Sequence, residues 1–149
     1  MSLGRIKSAL PRPFAPQTDN FSNKFWDALV AGQFLVTHCR SCNVLQFPPR
    51  PRCPFCLSAD IQWQELSGRG TLYSRTRIHA AGGPFACMTP YSVGIVDMDE
   101  GVRILTRLMH NASSLPPGSV VELVVVDHTD GPLFAARAPD SPEVRREAT

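Results

Sequence analysis

Cys39 and Cys42 are two residues apart, Cys53 and Cys56 repeat that spacing, and the ten residues Asn43 to Arg52 lie between the pairs. Two such knuckles can bring four thiolates to the corners of one tetrahedral zinc ion. The ten-residue span suffices for a short two-stranded excursion that returns to the metal. The regular spacing, with polar or proline residues inside each knuckle (Arg40-Ser41 and Pro54-Phe55), favours zinc over two disulfides or thiols packed in a core. A thioredoxin-like redox role would need one such pair in a βαβ setting, not two facing pairs. Four thiolates leave no open coordination position. One structural zinc per chain is therefore expected, supplying folding free energy rather than an activated water. Thiols committed to a metal imply a reducing compartment, so a cytoplasmic location is expected. The fifth cysteine, Cys87, has no basic neighbour in sequence and reads as a small apolar filler.

No residues are assigned a catalytic role. The chain contains no Gly-x-Gly-x-x-Gly or Gly-x4-Gly-Lys-Ser/Thr loop and no Gly-x-Ser-x-Gly elbow, and Gly82-Gly83-Pro84 opens no helix. His38, His79, His110 and His128 each stand alone, which suits hydrogen-bonded structural residues better than ligands or bases. Asp97, Asp99 and Glu100 straddle a turn and read as a solvated acidic turn, not as a paired acid and base.

Charge is distributed unevenly. Residues 1–77 hold ten Lys and Arg against four Asp and Glu, a net of +6, whereas residues 78–149 hold five against nine, a net of −4. Between 39 and 77 every basic residue is arginine: Arg40, Arg50, Arg52, Arg69, Arg75 and Arg77. A zinc ion with four thiolates carries a formal charge of about −2, which nearby guanidinium groups offset. Six arginines exceed that need and suit a phosphate-bearing ligand or an acidic partner. Arg50 and Arg52 flank prolines that restrict the backbone, and Arg75 and Arg77 share one parity on a strand. These four are the candidate ligand-binding residues.

The elements that position these groups can be read in order. Residues 1–17, with Pro11, Pro13 and Pro16, read as an extended arm. A helix is expected from Asn20 to Ala31, with Asp19 as N-cap and Gly32 as a left-handed stop. Phe21, Phe25 and Leu29, flanked by Trp26 and Val30, make its apolar face. That face either packs on its own domain or docks a partner chain, and Phe21, Phe25 and Trp26 are the candidate partner contacts. Phe34 to His38 reads as a strand into the first knuckle. Asn43 can take the left-handed conformation that knuckle turns use. Leu57 cannot do so cheaply, so the second turn is expected to differ in shape.

From Thr71 the pattern becomes purely β, after a Ser67-Gly68-Arg69-Gly70 turn or bulge signal. Strands are expected at 71–78, 91–97, 102–109, 120–126 and 134–137, with a tight turn at Asp99-Glu100-Gly101. Five strands without room for crossover helices indicate a small barrel, most simply an OB-fold. The resulting organisation is an arm and helix over 1–33, a zinc ribbon over 34–66, the barrel over 67–139 and a tail over 140–149. The fourteen prolines argue against long helices, and a hydrophobic fraction of 43% excludes wholesale disorder. No apolar run approaches the ~20 residues of a membrane helix, and the first ten residues lack the apolar stretch of a secretion signal.

Several runs together carry a family resemblance: Phe25-Trp26-Asp27-Ala28-Leu29, His38 to Cys42, Gln46 to Cys56, and Gly68-Arg69-Gly70-Thr71-Leu72-Tyr73. With the Asp99-Glu100-Gly101 turn and Pro117-Gly118, they resemble the zinc-ribbon plus OB-fold proteins known as domain of unknown function 35, over roughly residues 21–138. Asn43 and Leu57 stand where that family usually carries glycine. The resemblance implies a mainly β fold: an N-terminal helical arm, a rubredoxin-like zinc ribbon and a C-terminal five-stranded OB-fold barrel. It further implies a non-catalytic accessory subunit that binds or passes acyl-CoA beside a thiolase-like or MaoC-type enzyme of lipid, steroid or polyketide metabolism. A homodimer stays open. The alternative is a single-stranded nucleic-acid binder, against which stand the net acidic barrel and its few aromatics, Tyr73, Phe85, Tyr91 and Phe134.

Overall fold

The computed structural model describes residues 2–139. Helix α1 (Asn23–Val30) follows a turn that Asp19 and Ser22 close reciprocally: the Ser22 N–H donates to Asp19 Oδ1 at 2.6 Å, and the Asp19 N–H donates to Ser22 Oγ at 2.9 Å. This is capping-box chemistry. Asp19 closes the turn that leads into the helix, but regular helix begins only at Asn23 with Ser22, not Asp19, at its N-cap position. At the other end Gly32 takes φ +84°, with Gly32 N–H on Leu29 O (3.0 Å) and Gln33 N–H on Ala28 O (2.8 Å). That pair of bonds is a Schellman stop.

The next three strands form one antiparallel sheet in the order β3-β2-β4, from β2 (Phe34–Cys39), β3 (Leu45–Gln46) and β4 (Ile61–Leu66). Five further strands follow: β5 (Arg69–Ile78), β6 (Tyr91–Met98), β7 (Arg103–Leu108), β8 (Val120–His128) and β9 (Gly131–Arg137). Their pairing β8-β5-β6-β7-β9 closes through β9 on β8. The β7–β9 contact is parallel and the rest are antiparallel, which is the OB-fold barrel. A register shift between Leu72 and Ser74 lets Tyr73 bulge from β5, bending a long strand as barrel closure requires.

Two features depart from the expected arm. Gly4–Lys7 forms strand β1, paired in parallel with Val124 to Asp127 of β8. Arg5 locks it in place by donating to both oxygens of Asp127 (2.9 and 2.7 Å) and to Val30 O (2.8 Å). Leu3 is buried against Gly68, whose φ of +88° favours glycine and where a Cβ would lie 2.5 Å from Leu3 Cδ2, so a larger residue there would press on the seated arm.

One continuous core joins all the parts. Phe25 and Leu29 of α1, Phe34, Val36 and Leu66 of the first sheet, and Leu72, Ile104 and Val121 of the barrel belong to a single buried cluster. The expected boundaries at 33/34 and 66/67 therefore cross a shared interior. The tail expected over 140–149 lies outside the described residues.

Candidate metal centre and ligand clefts

The two knuckles are near copies of each other. Asn43 N–H donates to Cys39 O at 2.8 Å, and Leu57 N–H donates to Cys53 O at 3.0 Å. The returning bonds match as well: Cys39 N–H reaches Val44 O at 2.9 Å, and Cys53 N–H reaches Ser58 O at 3.0 Å. Asn43 and Leu57 have φ of 61° and 62°. The expectation that Leu57 would shape its turn differently is thus corrected. Converging two sulfurs on one ion demands the left-handed residue whatever its type, and Leu57 adopts it with an exposed side chain.

These turns bring the four sulfurs within 4.8 Å of one another. Cys39 Sγ lies 3.5 Å from Cys56 Sγ, and Cys42 Sγ lies 3.5 Å from Cys53 Sγ. Sulfurs about 2.3 Å from a tetrahedral zinc would stand roughly 3.8 Å apart, so the donor set fits one zinc ion with little adjustment. The thiols strongly influence one another. Burial, with hydrogen bonding to the other three cysteines, pushes Cys42 up to about 12. Burial also opposes ionisation of Cys53, but the backbone N–H groups of Cys56 and Phe55 outweigh it and draw that thiol down to about 6. Zinc takes its cysteine ligands as thiolates, so metal binding here would release protons.

The residues around the ribbon have structural duties. His38 Nε2 donates to Asn43 Oδ1 at 2.7 Å, and His38 Nδ1 accepts from Gln62 Nε2 at 2.9 Å, pinning the first turn to β4. Arg52 donates to Leu57 O at 3.2 Å and so ties down the second turn. Histidine and arginine here orient the knuckles.

The four candidate arginines do not form one cluster. Arg50 lines a cleft of about 290 Å³ between ribbon and barrel, shared with Phe55 and with Arg103 at the start of β7. Arg103 itself grips Asp97 (Nε to Oδ1 2.6 Å) and stacks over Tyr73 at 3.8 Å. Arg77 lies at the opposite end of the β5–β6 hairpin, opposite Ser92, and lines a separate polar cleft. Arg75 donates to Leu115 O at 2.7 Å and anchors the β7–β8 connection. Arg52 and Arg75 thus serve the backbone, whereas Arg50 and Arg77 reach two different clefts. Arg107, which shares the cleft of Arg77, was not singled out in the sequence, although its same-parity spacing from Arg103 on β7 is the signal that marked Arg75 and Arg77.

Of the three candidate partner contacts, Phe25 is 3% exposed. Its ring meets Trp26, Phe34, Phe47 and Phe134 at centroid distances of 5.0 to 6.2 Å. Its surface is used inside the chain, which corrects its assignment to a partner. Phe21 and Trp26 are half-buried, and Phe21 packs on Trp63 at 5.0 Å. Among the described residues no helix is long and apolar enough to cross a membrane.

Comparison with known proteins agrees with this architecture. Residues 26–62 match the rubredoxin-like zinc ribbon domain of ChsH2, and residues 63–126 match the C-terminal OB-fold domain of ChsH2. The chain is 36% identical over 104 residues to a probable enoyl-CoA hydratase alpha subunit of Thermomonospora curvata, covering 69% of this chain but 31% of that protein. It is 36% identical over 101 residues to the benzoylsuccinyl-CoA thiolase subunit BbsA of Thauera aromatica, covering 65% of this chain and 69% of BbsA. A DUF35 domain-containing scaffold protein of Methanocaldococcus jannaschii is 32% identical over 48% of this chain and 51% of its own length. Among solved structures, a chain of the Ltp2-ChsH2(DUF35) aldolase superposes with a TM-score of 0.70 at 28% identity, covering 83% of this chain and 98% of that one.

Proposed function

The chain belongs to the DUF35 family of ChsH2-type zinc-ribbon plus OB-fold proteins, and from that premise we propose that it is a non-catalytic accessory subunit of an acyl-CoA enzyme. Its partner would be a thiolase-like or MaoC-type enzyme of lipid, steroid or polyketide metabolism, in the cytoplasm. The observation that carries this reading is the match of ribbon and barrel to the two ChsH2 domains, together with similarity to relatives described as a hydratase alpha subunit, a thiolase subunit and a scaffold protein. The metal site is consistent with it, because four cysteine donors satisfy a tetrahedral zinc and leave the ion a folding role.

In this reading the chain contributes surface and binding to an active site that the partner supplies. Phe21 and Trp26, half-buried beside the ribbon, offer aromatic area of the kind that dominates interface energy. Arg50 and Arg77 offer planar, always-charged donors suited to the phosphates of CoA.

The test is native co-purification followed by mass-spectrometric identification of what accompanies the chain. A thiolase-like or MaoC-type polypeptide in fixed stoichiometry, with catalysis of an acyl-CoA reaction only by the complex, is the expected result. Recovery of the chain with nucleic acid and no such enzyme would overturn the reading.

A further inference from the structure

We infer that two adjoining clefts on the barrel form a binding site for the acyl group of an anionic amphiphile, apolar body in one cleft and negative head beside the other. Only the identity of the head, a CoA thioester, rests on the accessory-subunit reading. The larger cleft, about 740 Å³, lies between the N-terminal arm, the 3-10 helix Gly83–Met88 and the sheet face of β6 to β9. Its size falls in the range that encloses organic ligands. Ile6, Met88, Val93, Val126 and Leu133 give it an apolar wall.

The second cleft, about 150 Å³, shares Tyr91, Arg107, Leu108 and His110 with the first and adds Arg77, Ser92 and Ser113. One cleft is therefore apolar, its neighbour polar, and a single wall separates them. The sign of charge is one-sided. Lys7, Arg77 and Arg107 line the two clefts, and none of the described residues that line them is acidic. The Arg107 guanidinium stands 5.6 Å from the Tyr91 ring centre, which holds it at the shared wall. An apolar chain gains by leaving water here, and a charge beside it finds only complementary groups. The 3-10 helix that frames the site lies in the connection between strands 1 and 2 of the barrel, one of the loops through which OB-folds bind ligands.

Cys87 provides a site-specific reporter, because it is exposed and lines the larger cleft. Iodoacetamide alkylation of Cys87, resolved by peptide mass spectrometry on the full zinc-loaded chain, is followed with decanoyl-CoA, decanoate, CoA, decanol and oligo-dT. Decanoyl-CoA is expected to slow alkylation while CoA alone leaves it unchanged. Met88→Glu, in a surface segment that contains no buried residue, should abolish protection with the thermal melt unaltered. Arg107→Ala should weaken decanoyl-CoA about tenfold, the loss of one charge-assisted hydrogen bond, without changing decanol.

Decanoate protecting as well as the thioester keeps the site and removes CoA as its head group. Decanol protecting as well as decanoyl-CoA, or oligo-dT protecting Cys87, overturns the inference, as does unchanged alkylation with every acyl compound. Co-purification with an acyl-CoA enzyme combined with unchanged alkylation would sink the cleft and leave the accessory-subunit reading standing.

Discussion

Asn43 and Leu57 occupy equivalent positions one residue past their knuckles and share one left-handed conformation, φ 61° and 62°. Asparagine tolerates this region and leucine does not, at a cost of roughly 1–2 kcal/mol. The Leu57 side chain is 70% exposed, so packing returns little of that cost. Leu57→Gly should therefore leave stability unchanged or raise it by up to about 1 kcal/mol, and Leu57→Val should lower it, because a β-branched residue is worse still at positive φ. Thermal unfolding of the zinc-loaded chain checks both, and a destabilised glycine variant would show that the Leu57 side chain makes a contact worth more than the strain.

Metal removal should act on the ribbon tip first. One zinc per chain is expected by elemental analysis, lost on Cys39→Ser or Cys53→Ser. Phe34, Val36 and Leu66 at the base of the ribbon are buried with barrel residues, so loss of metal should free residues 39–61 while β2 and β4 keep partial order against the barrel. Hydrogen exchange resolved by residue measures this. Simultaneous loss of protection throughout β5 to β9 would mean that zinc holds the whole chain.

The helix face separates two kinds of aromatic. Phe25→Ala opens a cavity among Phe34, Phe47 and Phe134 and should cost about 3–5 kcal/mol of stability. Phe21→Ala and Trp26→Ala should cost less in folding and more in partner association. Denaturant melts and affinity measurements on the same variants decide. Equal folding losses at all three positions would place the whole face in the chain's own core.

Spacing made the metal site legible, because the knuckle is a local motif whose chemistry is complete in four residues each. Alternation of apolar side chains located the five barrel strands to within a few residues, since one face of each strand is buried. The parallel strand β1 was not legible: Gly4–Lys7 carries no strong period, and its partner in β8 lies about 120 residues away, so only tertiary contact reveals it. The same holds for Phe25, whose helical spacing marked an apolar face without saying which surface covers it. Parity placed Arg75 and Arg77 on one strand, yet the Leu115 carbonyl that occupies Arg75 comes from a distant loop. Sequence shows which groups share a face; it does not show which backbone carbonyls those groups must satisfy.

Acid should weaken the hairpin at the ribbon–barrel junction. The Arg103 guanidinium, hydrogen-bonded to both Asp97 oxygens at 2.6 and 3.1 Å, holds that carboxyl below its ordinary range. A group whose folded pKa lies below its unfolded value binds fewer protons when folded. Its contribution is fully present above the unfolded pKa, about 4, and is lost as pH falls through the folded pKa. Both side chains are about half exposed, so the effect should be modest and screened by salt. Asp97→Asn should be slightly less stable than the parent at pH 7 and should lose less stability on going from pH 5 to pH 2. Urea melts at each pH in low and high salt give the comparison. Parallel pH curves for parent and variant would show that the pair contributes nothing, and that the Tyr73 ring alone positions Arg103 beside the ribbon.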